Sequence, residues 1–302
     1  MRVFVTGASG FIGSAVVAEL LGAGHEVVGL ARSDDAAAAV AALGADVQRG
    51  SLDDLDVLRE AALAADGVAH LAFIHDFANF AASVAADLRA VEAIGDALAG
   101  SGKPFVNTSG VLGLNPGRLG TESDTPVAPS PAAHRQVSAT ATLALAERGV
   151  RSAVLRLAPS VHGAGDHGFV PRLIEIARER GVSGFVGDGS VRWTAVHRLD
   201  AARLYRLALE SAPPGSVLHG VAEEAVTGRA LAEVIGRQLE LPVVSVASAD
   251  AGEHFGWLGA FLGLDSPASS SRTRALLGWQ PVEPGLIDDL EAGHYFDHAT
   301  TH

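Results

Sequence analysis

Short, almost unbroken apolar runs alternate along the chain with longer stretches in which apolar residues recur at helical spacing. RVFVTG (2–7), EVVGLAR (26–32), DVQRG (46–50), GVAHLAF (67–73), PFVNTSG (104–110) and RSAVLRLA (151–158) predict strands. GSAVVAELLGAG (13–24), DDAAAAVAALGA (34–45), LDVLREAALAA (55–65), FAASVAADLRAVEAIGDALAG (80–100) and PAAHRQVSATATLALAERG (131–149) predict the helices between them. Strands without polar alternation are covered on both faces, as in a parallel sheet between two helix layers. The order predicts an α/β fold: a doubly wound Rossmann sheet with right-handed crossovers, binding its ligand beyond the C-terminal strand ends. After residue 160 the alternation loosens, with helices predicted at 169–181, 197–211 and 228–240 and a Ser-rich loop with a short helix at 265–279. The expected division is a Rossmann domain over 1–160, joined by part of 190–220, and a smaller substrate-binding region over 161–302.

Composition narrows the functional classes. The 302 residues are 48% hydrophobic and 19% charged, with a net charge of −13. An acidic chain lacks the basic face that nucleic acid requires, so no nucleic-acid partner is expected. There is no cysteine, which excludes disulfides, thiolate catalysis and cysteine–zinc sites. No apolar run approaches a membrane span, and Met1 leads directly into the first strand, so a cytoplasmic protein is expected. Lys103 is the one lysine of the sequence.

TGASGFIG (6–13) sets Gly7, Gly10 and Gly13 between the first strand and the first helix. Glycine permits the tight turn, the approach of a pyrophosphate to the backbone, and close packing of helix on strand. Helix N–H groups then face the phosphates, making Ser9, Phe11 and Ile12 further candidate cofactor contacts. The second strand ends in Arg32 and Ser33. A carboxylate there suits NAD, whereas arginine pairs with a 2′-phosphate, so NADP (NADPH) is the expected cofactor.

TGASGFIG, GSLDD (50–54), VAHLA (68–72), NTSG (107–110), VLRLAPSVHGAGD (154–166) and AVHRLDAARL (195–204) stand in the order of a known family. The chain resembles the short-chain dehydrogenase/reductase superfamily, in its extended or atypical, epimerase/dehydratase-like branch. The resemblance implies that Ser51 and Leu52 border the adenine, that Ala72 and Phe73 line the coenzyme ribose, and that Pro159 to Val161 pass beside the nicotinamide. The resemblance also implies that Thr108 or Ser109 is the hydroxyl at the end of the fifth strand that touches the substrate carbonyl. Asp87 stands where the family usually has a helix asparagine.

The family's Tyr-x-x-x-Lys pair is missing. Leu209 and Ala299 stand four residues after Tyr205 and Tyr295, and Ala99 stands four before Lys103. One register puts His134 and Ser138 in place of the pair. The other puts Arg135 and Ala139 there and keeps Ser138 in its family position. His134 titrates near neutrality and suits proton transfer, though a solvated histidine at a helix start is the plain alternative. Arg135 suits an oxyanion or the ribose. His75 and Asp76, in FIHDF (73–77), follow the fourth strand and are candidates for a carboxylate-oriented imidazole. Asp87 is a candidate to order a water or orient a donor.

These readings combine into an NADP-dependent oxidoreductase. It transfers hydride between NADPH and a carbonyl or imine group of a small hydrophobic molecule, with Ser109 polarising that group and a non-standard proton donor. The alternatives are a sugar-nucleotide epimerase or dehydratase, with Arg172, Arg192 and Arg272 as candidate pyrophosphate ligands, and a non-catalytic NADP-binding redox sensor. His162, Asp166 and His167 fit no strong zinc spacing and are read as a loop shaping the pocket; no metal is expected. His197 and Asp200 are read as packing residues. HFGWLGAFLGL (254–264) suits a pocket lining, a core or a dimer surface. A homodimer is expected by analogy with the family.

Overall fold

The protein is represented by a computed structural model that describes residues 1–76, 79–126 and 131–297. Strand β1 (Arg2–Thr6) turns at the glycines into α1 (Phe11–Gly22). β2 (Glu26–Ala31), α2 (Asp34–Ala42), β3 (Asp46–Arg49), α3 (Leu55–Ala64), β4 (Gly67–His70), α4 (Phe80–Leu98) and β5 (Pro104–Gly110) continue the alternation. α5 (Pro131–His134), α6 (Gln136–Ala144) and β6 (Arg151–Leu157) follow. The later chain forms β7 (Ser160–His162), α7 (Phe169–Arg180), β8 (Ser183–Val186), β9 (Arg192–His197), α8 (Arg198–Ser211), β10 (Ser216–Gly220), β11 (Glu223–Thr227), α9 (Gly228–Leu239) and β12 (Val243–Val246). Four short helices close the described fold: α10 (Ala251–Phe255), α11 (Gly259–Leu262), α12 (Ser271–Leu277) and α13 (Leu286–Glu291).

Seven strands form the main sheet in the order β10-β6-β5-β4-β1-β2-β3, and every pairing in it is parallel. The chain runs outward from β1 through β2 to β3, then crosses back to β4 on the other side of β1. That reversal opens the crevice where a doubly wound sheet binds its ligand. Alternate residues face opposite layers. Val3, Val5, Val106 and Leu155 meet α1 and α8 through Leu20, Tyr205 and Leu209. Phe4, Val68 and Phe105 meet α3 and α4 through Leu58, Ile94 and Leu98. Burying each large apolar side chain stabilises the fold by roughly 1.5–3 kcal/mol.

β11, β9 and β7 form a smaller sheet, and β12 pairs with β8. These strands escape the sequence reading because each is short and its partner is distant. Val170, Ile174, Leu231, Val234, Phe255, Leu258 and Leu286 form a separate core there. The segment 254–264 is thus partly core, while Trp257 is 47% exposed. Among the described residues, no helix is long and apolar enough to cross a membrane.

One predicted helix differs. The expected continuous helix over 131–149 is divided at Arg135, whose backbone leaves helical geometry (φ −89°, ψ 1°), and ends in a 3-10 turn over Leu145–Arg148. The Arg135 side chain is drawn inward at this break, and His134 is left on the outside.

Candidate active site

The glycine turn is a cradle with no room for side chains. Gly7 has φ +70°, and a Cβ on it would lie 2.8 Å from Ala72 N. A Cβ on Gly13 would lie 1.9 Å from Gly7 O, and one on Gly10 3.2 Å from the same oxygen. The first turn of α1 carries no acid, and no side chain caps it. Its N–H groups and the positive end of the helix dipole therefore face the crevice, which fits the pyrophosphate of a dinucleotide. Ser9 is exposed at the rim, and Phe11 and Ile12 are partly buried.

At the end of β2, Arg32 is exposed and has no carboxylate within ion-pair distance among the described residues. Ser33 Oγ accepts from Ala36 N at 3.2 Å, capping α2. Arg49 crosses from β3, donating to Ser33 O and, through Nη2, to Asp34 Oδ1 at 2.7 Å. Ser51 binds Asp54 through its N–H and hydroxyl at 2.7 and 2.8 Å. Leu52 is buried against Phe4, Leu30 and Leu58. Ala72 and Phe73 are partly buried after β4, and Pro159 and Val161 after β6.

A buried polar chain lies under the C-terminal ends of β4 and β5. Thr6 Oγ1 accepts the N–H groups of Leu71 and Ala72 at 3.2 and 3.1 Å. Its own proton is thereby left for His70 Nδ1 at 2.9 Å. His70 Nδ1 is then the acceptor, and Nε2–H donates to Asp87 Oδ1 at 3.3 Å. Asp87 is 1% exposed. Burial raises its carboxyl pKa, but the His70 hydrogen bond, the charge of Arg135 and Ser138 outweigh this, and the net shift is downward. Arg135 Nη2 lies 3.7 Å from Asp87 Oδ1 and donates to Thr108 O at 2.8 Å. Its guanidinium stacks 4.2 Å above the Phe73 ring.

Thr108 and Ser109 are separated by strand alternation. Thr108 Oγ1 donates to His70 O at 2.7 Å and so accepts the Tyr205 hydroxyl at 2.6 Å. Its hydroxyl is committed to the interior. Asn107, whose Nδ2 donates to Thr142 Oγ1 on α6 at 2.8 Å, faces the opposite layer. Ser109 shares that face, on the side of Asp87 and Arg135. Of the two hydroxyls, the one on that face is Ser109, which is 7% exposed. Tyr205 is fully buried, and burial raises its pKa.

The rim carries imidazoles and aromatic rings. His134 is exposed and stands edge-on to Phe80 at 5.6 Å. His75 stands edge-on to Phe73 at 5.2 Å. Desolvation on its inner side and the charges of Arg135 and His167 pull its pKa below the usual imidazole value. Asp76 Oδ1 accepts from Asn79 N at 3.2 Å. Phe77 lies outside the described residues.

The loop after β7 does not gather its polar residues at one point. His162 Nδ1 pairs with Asp289 Oδ2 at 2.8 Å. Asp166 accepts from Gly168 N at 2.7 Å and from the Tyr295 hydroxyl at 2.9 Å, and burial raises its pKa. His167 stands edge-on to Phe11 at 5.8 Å. His197 Nδ1 accepts from Leu199 N and caps α8, while the Asp200 carboxylate accepts the backbone N–H groups of Val282 and Glu283. No group of three or more His, Asp or Glu among the described residues is placed to hold a metal ion.

Sequence reasoning left His70 and Asp289 out of the candidates and considered Tyr295 only as a tyrosine without a lysine partner. His70 was legible only as a polar residue inside an apolar strand. Asp289 and Tyr295 meet their partners across more than a hundred residues.

A parallel sheet with this switch point and this glycine cradle defines a dinucleotide-binding α/β protein. The profile of the NAD dependent epimerase/dehydratase family matches residues 3–219, and the chain belongs to that family, as the resemblance in the sequence implies. An uncharacterised protein of Schizosaccharomyces pombe is 50% identical over 299 residues, covering 98% of this chain and 100% of the relative. The 2-alkyl-3-oxoalkanoate reductase of Stenotrophomonas maltophilia is 30% identical over 237 residues, covering 74% of this chain and 69% of the relative. Among solved structures, a dTDP-glucose 4,6-dehydratase of Streptomyces venezuelae with NAD bound has a TM-score of 0.79 at 23% identity, covering 97% of this chain and 96% of that one. That likeness shows the shared fold.

Proposed function

We propose that the protein is an NADPH-dependent reductase of an apolar oxo compound. The observation that carries this reading is the commitment of the arginines a sugar nucleotide would need. Arg192 is held by Asp265 through Nε and Nη2 at 2.9 and 2.6 Å. Arg172 is taken up by Glu175 and Glu179 at 2.9 and 3.0 Å. Arg272 donates to Ser123. Releasing Arg192 and Arg172 for a second pyrophosphate would break existing ion pairs, and releasing Arg272 would break its hydrogen bond to Ser123. The aromatic residues Phe169, Trp193, Trp257 and Phe261 lie together near the loop after β7, with centroid spacings of 5.3–6.0 Å from Phe169, and they favour an apolar substrate. A 2-alkyl-3-oxoalkanoate reductase among the relatives accords with this class.

Gly7, Gly10, Gly13 and the first turn of α1 would hold the pyrophosphate, and Arg32 would hold the 2′-phosphate. When bound, NADPH supplies the hydride. Ser109 donates its hydroxyl to the substrate oxygen. Arg135, fixed by Thr108 O and Asp87, adds a positive charge where that oxygen becomes negative, a preorganised electrostatic contribution. The Tyr–Lys pair is replaced by an arginine that cannot release a proton. His75, in the field of Arg135, delivers the proton. Because its pKa is depressed, the imidazolium fraction falls as pH rises through a value below 6.5. The rate should therefore decline with increasing pH in that range, and His75→Gln should flatten the profile.

The test is stoichiometric NADPH oxidation with 2-alkyl-3-oxoalkanoates and other apolar ketones, alongside sugar nucleotides. Net consumption with the ketones is expected. Turnover of sugar nucleotides without net consumption would replace this reading with the epimerase one. Saturable NADPH binding without turnover of any substrate would favour the sensor.

A further inference from the structure

We infer that Arg198 is a cofactor-binding residue that pairs with the pyrophosphate of the dinucleotide. This rests on the dinucleotide site of the proposed function. The glycine turn supplies neutral N–H donors, and no lysine or arginine lies within residues 3–25 to add a full charge. Arg198 opens α8, far along the chain, and the fold returns it to this turn. Its guanidinium carbon lies 4.9 Å from the centre of the Phe11 ring. Phe11 is the first residue of α1, the helix whose N–H groups face the anion.

The position of Arg198 is fixed rather than loose. Nη1 donates to Ala164 O at 2.9 Å. A Cβ on Gly163 would lie 3.0 Å from Arg198 Cγ, so the loop packs against the side-chain stem. Arg198 is partly buried and has no carboxylate within ion-pair distance among the described residues. Neighbouring arginines differ: Arg203 is taken by Asp200 and Glu283, and Arg206 by Glu19 and Glu210. A half-buried cation left unneutralised in an acidic protein, beside an anion cradle, is a site for anionic charge. The pyrophosphate is the anion that the cradle presents to it. His167, edge-on to Phe11 at 5.8 Å, flanks the same ring.

Titration of NADPH and NADH into wild type, Arg198→Met and Arg198→Lys tests this. Both coenzymes carry the pyrophosphate and differ in the 2′-phosphate. Arg198→Met should weaken both by the same factor, roughly ten- to hundredfold, as expected for losing one charge-assisted contact. Arg198→Lys should recover most of the loss, which also shows that the site folds with the position altered. Unchanged affinity in Arg198→Met would overturn the inference while leaving the proposed function intact. Weakening of NADPH alone would assign Arg198 to the 2′-phosphate and overturn it equally. Wild type binding neither coenzyme would overturn both.

Discussion

Asp87 and Arg135 hold opposite charges in a largely buried site, so removing both should cost clearly less than the sum of removing each alone. Their closest atoms are 3.7 Å apart, with the Asp87 and Arg135 side chains 1% and 17% exposed. At that separation Coulomb's law gives about 4.5 kcal/mol for an effective dielectric constant of about 20. Breaking one side of such a pair typically costs about 3–5 kcal/mol, because the other charge stays buried and uncompensated. Asp87→Asn keeps the shape and still accepts the His70 Nε2–H, so its loss of roughly 3 kcal/mol should come from charge. Arg135→Met keeps the apolar stem near Phe73 and should lose a comparable amount. Urea unfolding of the two single variants and the double variant at pH 7 measures the coupling. The double variant should be more stable than the sum of the single losses by about 2–3 kcal/mol. Additivity within about 0.5 kcal/mol would refute an ionised, mutually compensating pair.

Three further outcomes follow from named contacts. Gly13→Ala places a Cβ against the Gly7 carbonyl, 1.9 Å away in the present backbone, and should lower stability by about 1–3 kcal/mol and weaken coenzyme binding, as read by denaturation and titration. Ser109→Ala should reduce kcat/KM for ketone reduction by roughly 10²–10³ with coenzyme affinity unchanged; an unaltered kcat/KM would remove Ser109 from the chemistry. His219 Nδ1 bonds to Ser269 O at 2.8 Å, and burial pushes its pKa from 6.5 down to about 4. The unfolded chain therefore binds the proton first, and stability should fall as pH drops from 6.5 towards 4, with His219→Asn reducing the slope.

The sheet was legible because its information is local. Apolar strands without alternation, helices at their own period, and glycines where a Cβ would strike Gly7 O are all properties of short windows. The site was legible in part. Ser109, Asp87 and Arg135 are candidates by motif order, and the structure adds that Arg135 reaches Thr108 O and Asp87 while His134 remains outside. What the sequence could not supply was direction. Whether Thr108 or Ser109 faces the cleft depends on Tyr205, nearly a hundred residues away, which occupies the Thr108 hydroxyl. The tautomer of His70 depends on two backbone N–H groups saturating Thr6. The positions of Arg192 and Arg198 depend on Asp265 and Phe11, at opposite ends of the chain.

Net hydride transfer from NADPH to a substrate carbon is the central claim, and isotopic labelling measures it directly. The protein would be incubated with an apolar 3-oxo compound and NADPH deuterated at C4 of the nicotinamide, with each face labelled in turn. The account predicts deuterium on the carbinol carbon of the product for one labelled face, with an equal amount of NADP⁺ formed. Product formed without deuterium from either face, or label retained in the coenzyme through turnover, would contradict it.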